Sequence, residues 1–135
     1  MHLPDSMDFE TAAVFSLAYG TSYHALLDRG RVQAGETVLV LGASGGVGSA
    51  AVDIACRLGA DVIAAAGSDE KLSLLADFYG VKKRINYCTE EPQLRDRVKL
   101  MTDGLGADVI YDPIGGDAFQ QSLRCINWNG RILVV

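Results

Sequence analysis

The sequence predicts an α/β domain built on a doubly wound parallel sheet, with helices on both faces in a three-layer α/β/α arrangement. Three observations predict it. Short runs of β-branched and apolar residues alternate with helical segments, the connections between them are short, and a glycine-rich turn joins the first run to the helix after it. The 135 residues accommodate one domain and leave no room for a second of ordinary size. Nearly half the residues (49%) are hydrophobic and 21% are charged, the balance of a globular core rather than of a disordered chain.

Residues 1–36 read as a helical entry segment and residues 37–135 as βα repeats. Residues 5–30 carry the helical pattern, with Ser6 or Asp8 as N-cap and an apolar stretch through Ala12, Ala13, Phe15, Leu17 and Ala18. Gly20-Thr21 is expected to interrupt the helix, and a second short helix runs through His24, Leu26 and Leu27. Gly30 and Gly35 are turn signals. Thr37-Val38-Leu39-Val40-Leu41 is a continuous apolar run, as expected of a parallel strand buried on both faces. Helices are then expected over residues 49–58, 69–79, 91–101 (opened by Pro92) and 117–126. Strands are expected over 61–66, 84–87, 107–111 and 131–135. Gly59 and Gly80 are the stops of the first two helices.

The net charge of −5 argues against nonspecific nucleic-acid binding, which needs a basic surface. No apolar run reaches the ~18–20 residues that span a bilayer, so no membrane insertion is expected. Cys56, Cys88 and Cys125 lie more than thirty residues apart, without metal-ligand spacing. With no leader segment, they read as reduced thiols of a cytoplasmic protein. His2 sits at a frayed terminus, His24 is expected to bond along its own helix, Asp112 before Pro113 to form a turn, and Trp128 to cover the sheet edge.

The main motif is Gly42-Ala43-Ser44-Gly45-Gly46-Val47-Gly48, lying between a strand and a helix. That context makes it informative: it is the phosphate-binding turn of a Rossmann-type fold, read as Ala43-x-Gly45-x-x-Gly48 with alanine in the first glycine position. A backbone without Cβ lets a pyrophosphate approach, and free N–H groups at the helix start, with its positive dipole end, bind the anion. Such sites usually select NAD through an acidic residue about twenty positions on, which binds the ribose 2′-OH. Here the second strand ends in Ala66-Gly67-Ser68, with no carboxylate to repel a 2′-phosphate. Ser68 and Lys71 are candidate donors to that phosphate, and Asp69 and Glu70 read as helix-start acids. NADP(H) is expected over NAD(H).

At this point the residues resemble a known family. In order and spacing, several segments are similar to the cofactor domain of the medium-chain dehydrogenase/reductase superfamily, in its zinc-independent quinone oxidoreductase branch. They are Ala18-Tyr19-Gly20-Thr21-Ser22-Tyr23-His24-Ala25-Leu26, the glycine turn, Gly67-Ser68-Asp69-Glu70-Lys71, Ile85-Asn86-Tyr87, Tyr111-Asp112-Pro113-Ile114-Gly115-Gly116 and Gly130-Arg131-Ile132-Leu133-Val134-Val135. The resemblance implies that Ser44, Gly45, Gly46 and Val47 face the pyrophosphate. It places Gly67, Ser68, Lys71 and Tyr87 around the 2′-phosphate, and Thr21 with Ile114 and Gly115 near the nicotinamide. No catalytic acid, base or nucleophile and no metal ligand is assigned.

The resemblance also implies strand order 3-2-1-4-5, with the family's sixth strand and its GroES-like substrate domain lying outside this chain. In the intact protein the expected reaction is hydride transfer from NADPH to a quinone or other conjugated carbonyl. The isolated chain is expected to be inactive, because nothing in it closes over a substrate. The apolar edge run 131–135 is a candidate homodimer contact. Three alternatives stand beside this reading. One is an enoyl-thioester reductase of the same superfamily. Another is a short-chain dehydrogenase, whose Gly-xxx-Gly-x-Gly turn and Tyr-xxx-Lys spacing are matched by Gly42–Gly48 and by Tyr79 and Lys83. The third is a non-catalytic nucleotide-sensing module.

Overall fold

The computed structural model describes residues 3–89 and 92–135. Five parallel strands form one sheet in the order β3-β2-β1-β4-β5: β1 (Thr37–Val40), β2 (Asp61–Ala66), β3 (Lys83–Asn86), β4 (Ala107–Asp112) and β5 (Ile126–Val134). Helices α1 (Phe9–Tyr23), α2 (Gly46–Arg57), α3 (Asp69–Tyr79), α4 (Leu94–Met101) and α5 (Gly116–Ser122) connect or flank them. The doubly wound fold and its expected strand order are therefore present.

Alternate residues of a strand face opposite sides of the sheet, so the continuous apolar run at residues 37–41 builds two cores at once. Val38 and Val40 pack with Ala64, Ala66 and the α2 residues Ala51 and Ala55 on one face. Leu39 and Leu41 pack with Ile63, Ile85 and the α4 residue Val98 on the other. Because both faces are covered, the central strands carry no polar face to solvent, which is why they read as uninterrupted apolar runs.

Several boundaries differ from expectation. The entry helix runs through Gly20 and Thr21 without a break and passes into a π-helical turn, His24–Arg29, that ends at Gly30. Its N-cap is Asp8, whose Oδ1 accepts from the Thr11 N–H at 2.7 Å. α2 starts at Gly46 rather than at residue 49, so part of the glycine run is the first helical turn itself. β3 is displaced one residue toward the N-terminus. α4 starts at Leu94 with Gln93 as N-cap, and the expected start at residue 91, like His2, lies outside the described residues. α5 stops at Ser122, and β5 begins at Ile126, well before residue 131.

The β4–β5 register jumps between Ala107↔Ile126 and Val109↔Arg131, so residues 127–130 bulge out of the ladder. That bulge corrects the reading of Trp128, which is 89% exposed instead of covering the sheet edge. Cys125 is buried, Cys56 is half-buried against the core and Cys88 is exposed, all three unpaired. His24 Nδ1 bonds Asp28 Oδ2 at 2.9 Å on its own helical turn, as expected. Among the described residues no helix is long and apolar enough to cross a membrane.

Candidate functional site

The glycine turn leaves the C-terminal end of β1 at the point where the strand order reverses, between β1 and β4. Leu41 N–H donates to the Tyr111 carbonyl and Ala43 N–H to the Ala65 carbonyl, both at 2.9 Å, so the turn stays anchored to the strands on either side. Gly45 N–H closes it on the Gly42 carbonyl, also at 2.9 Å. The close approach of α2 explains one glycine. A Cβ on Gly48 would stand 2.1 Å from the Gly42 oxygen and 2.9 Å from the Ala43 Cα.

Gly46 has no such explanation within the chain. It lies in the first turn of α2, and a Cβ there would meet nothing within 4 Å. Alanine in a helix is favoured over glycine by roughly 0.5–1 kcal/mol, so the missing side chain fits a group from outside approaching the backbone. The same turn is bare of caps: the N-cap is Gly45 and no acidic residue lies in the first turn. By contrast, α1 and α3 are capped by the side chains of Asp8 and Ser68 and carry acids in their first turns. Exposed Gly45 and Gly46, with the uncapped N–H groups behind them, form an open shelf of positive potential suited to a pyrophosphate. Ser44 and Val47 flank it half-buried, and the Ser44 hydroxyl has no hydrogen-bond partner among the described residues.

The shelf is held from behind by polar groups that the sequence reading did not single out. Ser22 Oγ, on α1, donates to the Val47 carbonyl at 2.9 Å and lies 3.0 Å from the Tyr111 hydroxyl of β4. Both side chains are fully buried, and burial raises the Tyr111 phenol above its ordinary range. Further along α2, Asp53 accepts from Tyr19 Oη at 2.8 Å and from Arg57 Nε at 2.7 Å. Burial, and then the bond to Asp53, raise the Tyr19 phenol. Two elements, α1 and β4, thus hold α2, and only their packing brings Ser22 and Tyr111 to its start.

At the ends of β2 and β3, the expected adenosine-side residues come together. A Cβ on Gly67 would stand 3.1 Å from Cys88 Sγ and 3.7 Å from the Tyr87 ring, and Tyr87 N–H donates to the Ala66 carbonyl at 3.2 Å. Ser68 caps α3, accepting from the Lys71 N–H at 3.4 Å. The Lys71 ammonium is exposed and has no partner among the described residues. Lys71 lies in the first turn of α3, three residues after Ser68. Tyr87 is half-buried, and burial raises its phenol.

On the other side of the glycine turn, the loop after β4 folds over it. Ile114 Cγ2 lies 2.8 Å from where a Cβ of Gly42 would stand. Asp112, 1% exposed, accepts through Oδ1 from the Ile114 N–H at 2.9 Å and the Gly115 N–H at 2.8 Å. Asp112 therefore is a turn former, as the Asp-Pro step suggested. Thr21 is half-buried in mid-helix rather than at a cap. It opens onto a groove of about 600 Å³ between the end of α1 and β5, with His24, Arg131 and Val134. Tyr79 and Lys83 do not make a catalytic pair: Tyr79 ends α3, while Lys83 starts β3 and bonds the Asp61 carboxylate and the Met101 carbonyl.

A sheet reversing at β1/β4, with a bare helix start at the reversal, is the architecture of a Rossmann-type nucleotide-binding domain. The comparisons agree. Residues 46–135 match the family described as zinc-binding dehydrogenase, and the chain belongs to that family, within the medium-chain dehydrogenase/reductase superfamily. The chain is 42% identical to quinone oxidoreductase-like protein 2 of Rattus norvegicus over 134 residues, which is 98% of this chain and 37% of that protein. The crystal structure of the CurK enoyl reductase superposes with a TM-score of 0.90 at 34% identity, over 98% of this chain and 39% of that one. The nucleotide-binding subdomain of the enoylreductase domain of PpsC from Mycobacterium tuberculosis superposes with a TM-score of 0.78 at 37% identity, over 87% of this chain and 64% of that one. The chain thus spans little more than a third of the length of its quinone oxidoreductase-like relative. The family match removes the short-chain dehydrogenase reading.

Proposed function

We propose that residues 1–135 form a single NADP(H)-binding domain of an oxidoreductase that transfers hydride from NADPH to a quinone or other conjugated carbonyl. The observation that carries the reading is Gly46: a side-chain-free position in an uncapped helical turn, with nothing beyond that turn among the described residues within 4 Å of its absent Cβ. In this reading Ser44, Gly45, Gly46 and Val47 hold the pyrophosphate. Gly67, Ser68, Lys71 and Tyr87 surround the 2′-phosphate, and Thr21, Ile114 and Gly115 line the nicotinamide end. The bound nicotinamide supplies the hydride, and this chain's residues bind and orient it. The preference for the 2′-phosphorylated cofactor is supported by the strand end Ala66-Gly67-Ser68, which holds no carboxylate, and by Lys71 in the first turn of the helix that follows, exposed and without a side-chain partner among the described residues.

The quinone oxidoreductase branch is supported by the rat relative, and its zinc-independent character is part of the same proposal. A second reading, an enoyl-thioester reductase of the same superfamily, is favoured by the two enoyl reductase structures. The substrate side of the cleft, turnover, a cytoplasmic location and a homodimer through residues 131–135 belong to the same proposal. Calorimetric titration with NADPH and NADH tests its centre. NADPH is expected to bind at least tenfold more tightly. Tighter NADH binding refutes the phosphate assignment, and no binding of either at millimolar concentration refutes the site.

A further inference from the structure

Asp112 has a cost that its surroundings do not cover. It sits at the C-terminal end of β4 with 1% of its surface exposed, and Oδ2 is buried without a hydrogen-bond partner among the described residues. A buried carboxylate is expensive unless its oxygens are matched by donors, and an apolar side chain there would avoid the expense. What the carboxylate holds is the loop after β4. Oδ1 takes both the Ile114 and the Gly115 N–H, at 2.9 and 2.8 Å. Gly115 stands at φ 66°, ψ −150°, a conformation essentially confined to glycine. The Asp112 carbonyl accepts the Val135 N–H at 3.0 Å, tying the end of β5 to the same residue. Ile114, held by this clamp, closes over Gly42.

We propose that Asp112 is the positioning residue for the nicotinamide half of the cofactor. It fixes the Ile114-Gly115 loop against the glycine turn, at the cost of one unmatched carboxylate oxygen, without touching the cofactor. The inference rests on the reading of that loop as the nicotinamide end. It predicts a split that a merely structural residue would not produce, because the adenosine-side residues lie across the sheet on β2, β3 and α3 and do not depend on the clamp.

The test is calorimetric titration of the chain and its variants with NADPH and with 2′,5′-ADP, which lacks the nicotinamide half. Asp112→Ala is expected to weaken NADPH at least tenfold and to leave 2′,5′-ADP within twofold. Asp112→Asn keeps an oxygen for the two loop amides and is expected to stay within threefold of the unaltered chain for both ligands. Gly115→Ala strains the same loop from its other end and is expected to reproduce the Asp112→Ala split. It decides the matter if Asp112→Ala does not fold. Unchanged NADPH binding in Asp112→Ala or Gly115→Ala, equal loss of both ligands, or an Asn variant as impaired as the Ala variant overturns the inference. So does an unaltered chain that binds NADPH no better than 2′,5′-ADP, although the phosphate site then survives. An unaltered chain that binds neither ligand sinks the proposed site itself and the inference with it.

Discussion

Gly46→Ala separates what the fold needs from what a ligand needs. The position has helical backbone, and among the described residues nothing beyond its own helical turn comes within 4 Å of the new Cβ. The substitution therefore removes only unfolded-state freedom, and stability is expected to rise by about 0.4–1 kcal/mol. For a domain of this size that is roughly 1–4 °C in Tm. The added methyl projects from the shelf on which the pyrophosphate would rest. Losing one hydrogen bond to a charged oxygen costs about 1.5–3 kcal/mol, so NADPH binding is expected to weaken by about tenfold or more. Gly48→Ala is the contrasting change. Its Cβ would meet the Gly42 carbonyl oxygen at 2.1 Å, and the Gly42 and Ala43 backbone atoms around it have little room to yield. A loss of about 3 kcal/mol is expected there, the upper end for overpacking. Chemical denaturation gives the stabilities and calorimetry the affinities. A Gly46→Ala chain that is more stable yet binds NADPH as tightly as before would refute the argument, because the bare backbone would then serve no ligand.

Three further predictions concern single contacts. Lys71→Ala is expected to weaken NADPH about tenfold while leaving NADH within twofold, the loss of one charge-assisted contact to a phosphate; titration with both coenzymes checks it. Tyr111→Phe, which removes the hydroxyl beside Ser22 at the back of the shelf, is expected to cost about 1 kcal/mol of stability, read by urea denaturation. Arg131 holds Glu36 through Nη1 at 2.6 Å and Nη2 at 2.8 Å, and these bonds lower the Glu36 carboxyl below its ordinary 4.5. A depressed carboxyl stabilises the fold above its unfolded value and loses that contribution as pH falls through the folded one. Glu36→Gln is thus expected to cost about 1 kcal/mol at pH 7 for this partly exposed pair, a difference that shrinks in acid. A pH-independent difference across denaturation curves from pH 7 downward would contradict the assignment.

The sheet was legible in the sequence because strands covered on both faces must be apolar throughout, as residues 37–41 are, and because Gly42–Gly48 falls between a strand and a helix. The shelf was legible for the same local reason: bare backbone and a helix start are properties of adjacent residues. The entry segment was misread at Gly20-Thr21. The roughly 1 kcal/mol that glycine costs a helix is outweighed by packing of α1 on α2, including Tyr19 on Asp53 and Ser22 on Val47, partners more than twenty residues away. Trp128 and the early start of β5 were also hidden, since a register jump depends on the partner strand.

Composition, periodicity and the glycine spacing settled by themselves the layer architecture, the position of the turn and the residues that flank it. Tertiary structure alone decided which side chains hold that turn in place. Ser22 and Tyr111 act through neighbours that the chain reaches only after crossing the sheet, whereas Asp112 takes loop amides only two and three residues on. Hydrogen bonds between distant segments leave no periodic trace in a sequence.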